Sequence, residues 1–354
     1  MTPAAMRLSW WQGVEAIGAL PIGLLLLAVA MLGSLHVGAV SLDVFPALKQ
    51  GLASLLAGDR MAGDSYVLYQ IRLPRVLFGA LVGAALGASG AALQALFRNP
   101  LADPVLIGIS GGATLGAVAA IVLGGILVHL SPAWMAWTVP ATAFIGALAA
   151  TLIIVQVGAR RGGLDVTVVL LAGIAMNSIV MAGIGILTYV ADDQQLRGLT
   201  FWTMGSLALA DWTVLPVLTV VIAMPLVLLM TRAEALDRYL LGEAAAMHVG
   251  VDVPRLKWAV VLAVALAVGA AVSFSGAIGF VGLVVPHLVR LIFGVRNRVV
   301  LPGSMLLGAL LMLGADAVGR ILASPAEIPV GLVLGTVGGP FFFYLVIRQR
   351  GRAS

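Results

Sequence analysis

The sequence consists largely of long apolar runs without charge, separated by short stretches that hold the charged residues. A helix that crosses the hydrocarbon core of a bilayer needs about 20 apolar residues, because the core is about 30 Å thick and each residue rises 1.5 Å. The charge-free windows on this scale are 16–42, 76–97, 104–159, 166–191, 212–231, 258–289, 299–315 and 328–347. The pattern predicts an all-α polytopic membrane protein, since no run alternates as barrel strands do.

Two of these windows are longer than one span. The window 104–159 has room for two helices, with a reversal near Ser131 and Pro132. The window 258–289 is interrupted at residues 275–277 by Ser-Gly-Ala, which predicts one full helix followed by a short one. We therefore expect about ten transmembrane helices. The eighth, which contains Pro286, is expected to be too short to cross the bilayer unaided.

The first window and the distribution of charge predict the orientation. Arg7 and the apolar run that follows resemble a signal peptide, but the uncharged run continues to Leu42 and favours an uncleaved first helix. Ten spans put both termini on one side. With the termini in the cytoplasm, fourteen of the twenty Lys and Arg residues fall in inner loops, as the positive-inside rule requires. The predicted location is a bacterial inner membrane, with residues 1–354 as one transmembrane domain.

Composition supports this class and excludes others. Of 354 residues, 61% are apolar and 10% charged, whereas soluble domains carry roughly 25% charged residues. The net charge of +5 comes from scattered single arginines without a basic patch, which argues against nucleic-acid binding. The absence of cysteine excludes disulfides and thiolate chemistry.

The sequence lacks the motifs of an autonomous pump or a membrane enzyme. Gly-Lys never occurs, so the Lys of a phosphate-binding loop is missing and any ATP hydrolysis belongs to a partner. No cofactor or metal site is predicted. An ion-driven secondary carrier remains an alternative, but such carriers usually hold charged groups within their spans, and Asp316 is the nearest candidate here.

A short pattern recurs with identical spacing in the two halves of the chain. The matched segments are Gly-Ala-Ala at 83–85 and 269–271, Ser-Gly-Ala at 89–91 and 275–277, and Pro at 100 and 286. Chance is one explanation, because membrane helices favour small residues for close packing. The other is an internal repeat that starts at the second and seventh helices. An offset of five helices would make the two halves inverted.

The segment 231–258 is the longest polar stretch predicted on the inner side. Its centre, from Leu241 to His248, favours a short helix that Gly250 and then Pro254 would end. Such a helix could lie on the membrane surface or dock against a cytoplasmic partner. We predict that the segment is a coupling loop.

Several motifs together resemble one family. They are Ile-Arg-Leu-Pro-Arg at 71–75, Phe-Arg-Asn-Pro-Leu-Ala-Asp-Pro at 97–104, Leu-Leu-Ala-Gly at 170–173, Trp-Thr-Met-Gly-Ser at 202–206, Leu-Gly-Glu at 241–243, Ser-Gly-Ala-Ile-Gly-Phe-Val-Gly-Leu-Val-Val-Pro-His at 275–287 and Glu-Ile-Pro-Val-Gly at 327–331. In this order they are similar to the FecCD family of importer permeases for iron-siderophore, haem and vitamin B12 uptake.

The resemblance implies a ten-helix subunit that forms a homodimer around a central pathway. Two cytoplasmic ATP-binding-cassette ATPases would bind below it, and a periplasmic substrate-binding protein would deliver cargo above it. The pathway would open to one side of the membrane at a time. The segment 187–202 is most similar to the haem branch, which favours haem over a siderophore or cobalamin as cargo.

The resemblance also implies three groups of functional residues. Arg72, Arg75 and Arg320 match positions that meet acidic residues of the binding protein, and we expect their side chains to be exposed at the outer face. Gly242, Glu243, Met247 and Gly250 match the ATPase-coupling segment. Asn99, Leu101 and Thr167 match the inner gate, and Asn177 is a further candidate for lining the pathway.

Overall fold

The computed structural model describes residues 3–38, 41–127, 132–160 and 163–350, and within them the chain folds into helices with one short hairpin. Gly63–Leu96 is counted as a single helix that contains a π-helical stretch at Val67–Arg72. The helices are α1 (Pro3–His36), α2 (Val44–Ala57), α3 (Gly63–Leu96), α4 (Ile109–Leu127), α5 (Pro132–Gly158), α6 (Val166–Val190), α7 (Asp193–Met204), α8 (Leu215–Thr231), α9 (Ala233–Tyr239), α10 (Glu243–His248), α11 (Val253–Ser275), α12 (Val281–Phe293), α13 (Asn297–Leu322) and α14 (Val330–Arg350). The hairpin pairs β1 (Ala159–Arg160) with β2 (Gly163–Leu164).

Ten of these helices fall on the ten predicted segments, which confirms an all-α polytopic membrane protein. They are α1, α3, α4, α5, α6, α8, α11, α12, α13 and α14. Within the residues that the structure describes in full, five are long and apolar enough to span a membrane by themselves, and α8 with α9 forms a sixth candidate bent by 48°. The predicted reversal lies between α4 and α5, where Ser131 is outside the described residues.

The interrupted sixth window, 258–289, behaves as the sequence predicts. α11 ends at Ser275, and Gly276 takes a φ of 71° that favours glycine. The following helix, α12, has only 13 residues, so it is about 20 Å long and shorter than the hydrocarbon core. Arg290 of α12 donates to Gln94 Oε1 and to Ala91 O of α3, which fastens the short helix to its neighbour.

Glycines allow the central helices to approach one another at backbone distance. A Cβ on Gly83 or Gly87 of α3 would overlap backbone atoms of α13, and one on Gly90 would overlap the carbonyl oxygen of Gly282 in α12. α4 and α5 meet in the same way at Gly112 and Gly146. Small residues serve this purpose in membranes, where burial from water no longer drives helices together.

The helix contacts have the pattern that an internal repeat requires. The second segment, α3, packs against α12 and α13, which are the eighth and ninth segments. The seventh segment, α11, packs against α4 and α5, which are the third and fourth. Exchanging the two halves of the repeat therefore converts one set of contacts into the other. The pattern supports a repeat over chance.

The close approach at Gly90 gives a test of the packing. We expect Gly90→Ala to destabilise the protein by about 1–3 kcal/mol, because the added methyl forces α3 and α12 apart. The matched control is Gly185→Ala in α6, where a Cβ meets nothing within 4 Å. Thermal unfolding in detergent, followed by tryptophan fluorescence, should show a lower midpoint for the first variant alone. Equal midpoints for both variants would contradict the packing argument.

Candidate functional site

Two of the three arginines predicted for docking, Arg75 and Arg320, meet at one end of the bundle around a single carboxylate. Arg75 Nη2 lies 2.8 Å from Asp316 Oδ1, and Arg320 Nε lies 3.0 Å from Asp316 Oδ2. The second contact is an ion pair without hydrogen-bond geometry, since Arg320 Nε has no hydrogen-bond partner. Arg75 also donates to both oxygens of Glu327, at 3.0 and 2.8 Å. Asp316 and Arg320 are four residues apart on α13, which places them on one helix face.

Two of these arginines also cap α1. Arg72 Nη1 donates to Leu35 O at 2.7 Å, and Arg320 donates to Ser34 Oγ at 2.7 Å and to Val37 O. The last carbonyl groups of a helix lack partners within the helix and carry partial negative charge, so guanidinium groups stabilise them. α1 is thus held to the bundle through its C-terminal end.

The expectation that these arginines are exposed is wrong. Arg72 and Arg320 are each 5% exposed, and the side chain of Arg75 is 12% exposed. The guanidinium groups that were expected to face water instead bind Asp316 and the carbonyl groups at the end of α1. The exposed charge of the cluster is instead Glu327, whose side chain is 43% exposed. A role of the arginines in docking stays a prediction, and Glu327 is a residue that the sequence interpretation missed.

A cavity of about 380 Å³ lies beside this cluster. Helix α7 and the end of α11 meet the start of α14 here. One wall of the cavity is ionic and the other is aromatic. Ser206 N–H donates to Ser275 O at 2.7 Å and holds the end of α7 against the break after α11. The charged and aromatic lining residues are Arg75, Asp316, Glu327, Phe201, Trp202 and Phe274. The motif at 202–206 marked this region in the sequence but did not indicate a cavity.

The predicted coupling segment is two short helices, α9 and α10, joined by a turn. Gly242 has a φ of 121° and Gly250 a φ of 84°, so both positions require the conformational freedom of glycine. The apolar side chains of Leu241, Met247 and Val249 are exposed beside α10. We call these three residues the apolar tip. The predicted short helix is therefore present, and it presents apolar surface away from the bundle.

Glu243 is bound by two side chains of its own chain, although 44% of its side chain is exposed. Its Oε1 atom lies 2.7 Å from Lys257 Nζ and accepts a hydrogen bond of 2.9 Å from Tyr239 Oη. Burial opposes ionisation of Glu243, but the hydrogen bonds from Lys257 and Tyr239 outweigh it and lower the pKa of the carboxyl group. Lys257, which we assigned to an inner loop, is buried in α11 and also donates to Leu164 O at 2.9 Å.

The predicted gate residues occupy two places. Asn99 and Leu101 lie in the loop between α3 and α4, where Asn99 Oδ1 accepts a hydrogen bond from the Leu101 N–H at 2.9 Å. Thr167 is exposed in the first turn of α6, and its N–H donates to Asp165 at the helix N-cap. Asn177 is ten residues further along α6, about 15 Å from Thr167, so the two cannot form one constriction.

Helix α6 packs along α4 and α5 but leaves most of its surface exposed. Only 17% of its most apolar window is buried, although the helix is apolar on all sides. Its exposed side chains include Leu171, Ile174 and Ile179. A helix with this surface faces lipid or a further helix.

Comparison with known proteins identifies the family. The profile of the FecCD transport family matches residues 25–348. The hemin transport system permease protein HmuU of Yersinia pestis is 44% identical over 331 residues, which cover 94% of this chain and 96% of that protein. The vitamin B12 import system permease protein BtuC of Vibrio cholerae is 41% identical over 287 residues, covering 81% and 84%.

A solved structure has the same fold. It is an inward-facing conformation of a metal-chelate type ABC transporter, with a TM-score of 0.80 and 30% sequence identity over 94% of this chain and 99% of that one. The family resemblance of the sequence motifs is thereby confirmed. The chain belongs to the FecCD transport family and is a multi-pass membrane permease of the ABC importer type.

Proposed function

We propose that this chain is the permease subunit of an importer that carries haem into the cytoplasm. The observation that carries the proposal is the 44% identity to a hemin permease across 94% of the chain. The cavity beside the arginine cluster adds support, because Phe201 and Trp202 offer flat apolar surfaces to a macrocycle. Vitamin B12 permeases at 41% identity make cobalamin the second candidate, and an iron-siderophore is the third.

The proposed assembly contains two copies of this chain in a bacterial inner membrane, with both termini in the cytoplasm. Two ATP-binding-cassette ATPases hydrolyse ATP on the inner side, and a periplasmic binding protein delivers cargo on the outer side. The bare apolar surface of α6 supports a second copy of the chain, because that surface has so few partners within one copy. The charge distribution of the loops supports the orientation.

Transport proceeds by alternating access in this proposal. ATP binding draws the two ATPases together, and the apolar tip carries their motion to the membrane helices. Gly242 and Gly250 shape the coupling segment, Met247 contacts the ATPase, and Glu243 fixes the segment to α11. Asn99, Leu101 and Thr167 restrict the inner exit, while Asn177 lines the pathway closer to the membrane centre.

Docking of the binding protein is proposed to use Arg75 first. Arg75 is the most exposed of the three arginines. Its ion pair with Glu327 has the form that an ion pair with a carboxylate of the binding protein would have. Docking is therefore an exchange of one carboxylate for another. Arg72 and Arg320 hold the surface in place from below and reach a partner only if α1 releases them.

Uptake of labelled haem tests the cargo. Proteoliposomes should contain this chain with its cognate ATPase, with binding protein and labelled haem outside and ATP inside. We expect accumulation of haem that stops when the phosphate-binding Lys of the ATPase is replaced. Cyanocobalamin and a ferric siderophore serve as parallel cargoes. Uptake of one of these without haem would reject haem and keep the importer, whereas ion-driven uptake without ATP would indicate a secondary carrier.

If a carboxylate of the binding protein replaces Glu327 at Arg75, removing the Glu327 carboxylate should strengthen docking. We expect Glu327→Gln to bind the binding protein about two- to fivefold more tightly, since an exposed ion pair no longer competes. Arg75→Glu should abolish binding. Surface plasmon resonance on detergent-solubilised complex measures both, with Lys49→Glu in α2 as an exposed charge-reversal control. Weaker binding by Glu327→Gln would mean that Glu327 itself contacts the partner.

The apolar tip predicts where the ATPase binds. We expect Met247→Asp to lower ATPase affinity at least about tenfold, because a buried apolar contact is replaced by a charge without a partner. The control is Arg255→Gln, in the same segment, whose side chain is 88% exposed. Co-purification and quantitative pull-down of the ATPase report the difference. Full retention of the ATPase by Met247→Asp would exclude the tip as the docking surface.

A further inference from the structure

Lys257 is a buried cation that joins three segments of the chain. It lies in the second turn of α11, and its side chain is 6% exposed. Nζ is 2.7 Å from Glu243 Oε1 at the start of α10 and 2.9 Å from Leu164 O at the end of β2. Leu164 immediately precedes Asp165, which caps α6. One side chain therefore links the start of α10 to the residue before the N-cap of α6.

Tyr239 extends the same network to a fourth segment. Its ring is buried at the end of α9, and its hydroxyl donates to Glu243 Oε1 at 2.9 Å. The guanidinium carbon of Arg98 lies 4.3 Å from the ring centroid, within the range of a cation–π contact. Arg98 has a φ of 48° and immediately precedes Asn99 in the loop between α3 and α4. We call Arg98, Tyr239, Glu243 and Lys257 the inner junction.

The inner junction resists being pulled apart. Separating Glu243 from Lys257 would leave a buried ammonium group without its anion, which costs far more than breaking an exposed ion pair. The other end of the coupling segment is anchored as well, since Asp237 of α9 accepts from the backbone N–H and from Nδ2 of Asn297 at 2.6 and 3.0 Å. The segment from α9 to α10 is therefore attached to α13 at one end and to α11 at the other.

We infer that the inner junction transmits movement of the ATPase-docking segment to both gate segments, through Lys257 to the start of α6 and through Tyr239 and Arg98 to the α3–α4 loop. The inference rests on the proposed function and assigns a positioning role to Lys257, Tyr239 and Arg98. Each gate segment begins within a few residues of a junction contact: Asn99 follows Arg98, and Thr167 is three residues after Leu164. Breaking the inner junction should uncouple ATP hydrolysis from gate movement without preventing assembly.

Single-cysteine labelling tests this directly, because the chain has no cysteine of its own. Thr167→Cys or Leu101→Cys is introduced, and its reaction rate with a membrane-impermeant maleimide is measured in the assembled complex with and without ATP and vanadate. We expect a rate that changes on ATP binding in the otherwise native chain. Lys257→Met should remove the change, Lys257→Arg should restore part of it, and Arg255→Gln should leave it intact.

Transport per ATP provides the second readout. We expect Lys257→Met to lower uptake per ATP hydrolysed about tenfold, the effect of one charge-assisted hydrogen bond, while ATPase binding stays unchanged. Tyr239→Phe, which removes only a hydroxyl group, should lower it less. Unchanged labelling and unchanged uptake per ATP in both variants would overturn the inference.

A loss of assembly equal to the loss of uptake would also overturn it, by showing a purely structural role. A different outcome would reject the proposed cargo. If the native complex shows the ATP-dependent labelling change but imports no haem, haem is rejected as the cargo and the inferred role of the inner junction stands.

Discussion

The hydrocarbon core of the membrane holds no water, and the rest of the structure follows from that constraint. Polar groups must find partners within the protein, so charge gathers where helices end. At one end two arginines share Asp316, and at the other Lys257 is held by Glu243 and a backbone carbonyl. Between these layers the helices meet through glycines, which need no polar partner. The two charged layers are therefore the places where partners can influence the bundle.

Both layers fasten elements of the chain to one another before they meet any partner. Arg72 and Arg320 hold the end of α1, and the inner junction holds α10 to α11, β2 and the α3–α4 loop. A partner that binds at either end would therefore act on contacts that already hold helices and loops together. This arrangement suits a permease, because energy released outside the membrane has to reach helices inside it. Exposed ion pairs such as Arg255 with Asp252 could not serve in this way, since water replaces them at little cost.

The sequence predicts the helices better than it predicts the side-chain partners. Gaps in the charge pattern locate ten segments, and the residues at 275–277 locate the break, because both depend on local composition. The burial of Arg72 depends on its hydrogen bond to a carbonyl group of α1, which is 37 residues away in the sequence. Lys257 is similar: its neighbours Glu243 and Leu164 are distant in sequence. The cavity could not be predicted either, since its lining comes from helices whose packing is not encoded locally.

Helix α6 leaves most of its surface outside the packing that keeps the chain folded. Most of its surface makes no contact within its own chain, so substitutions there leave the glycine-packed core undisturbed. Under the proposed pathway this is also a surface that cargo meets. Relatives named for hemin and for vitamin B12 are similar in sequence to the chain, at 44% and 41% identity. A scaffold of this kind can diversify in selectivity by mutation of one lightly packed helix, with little penalty in folding.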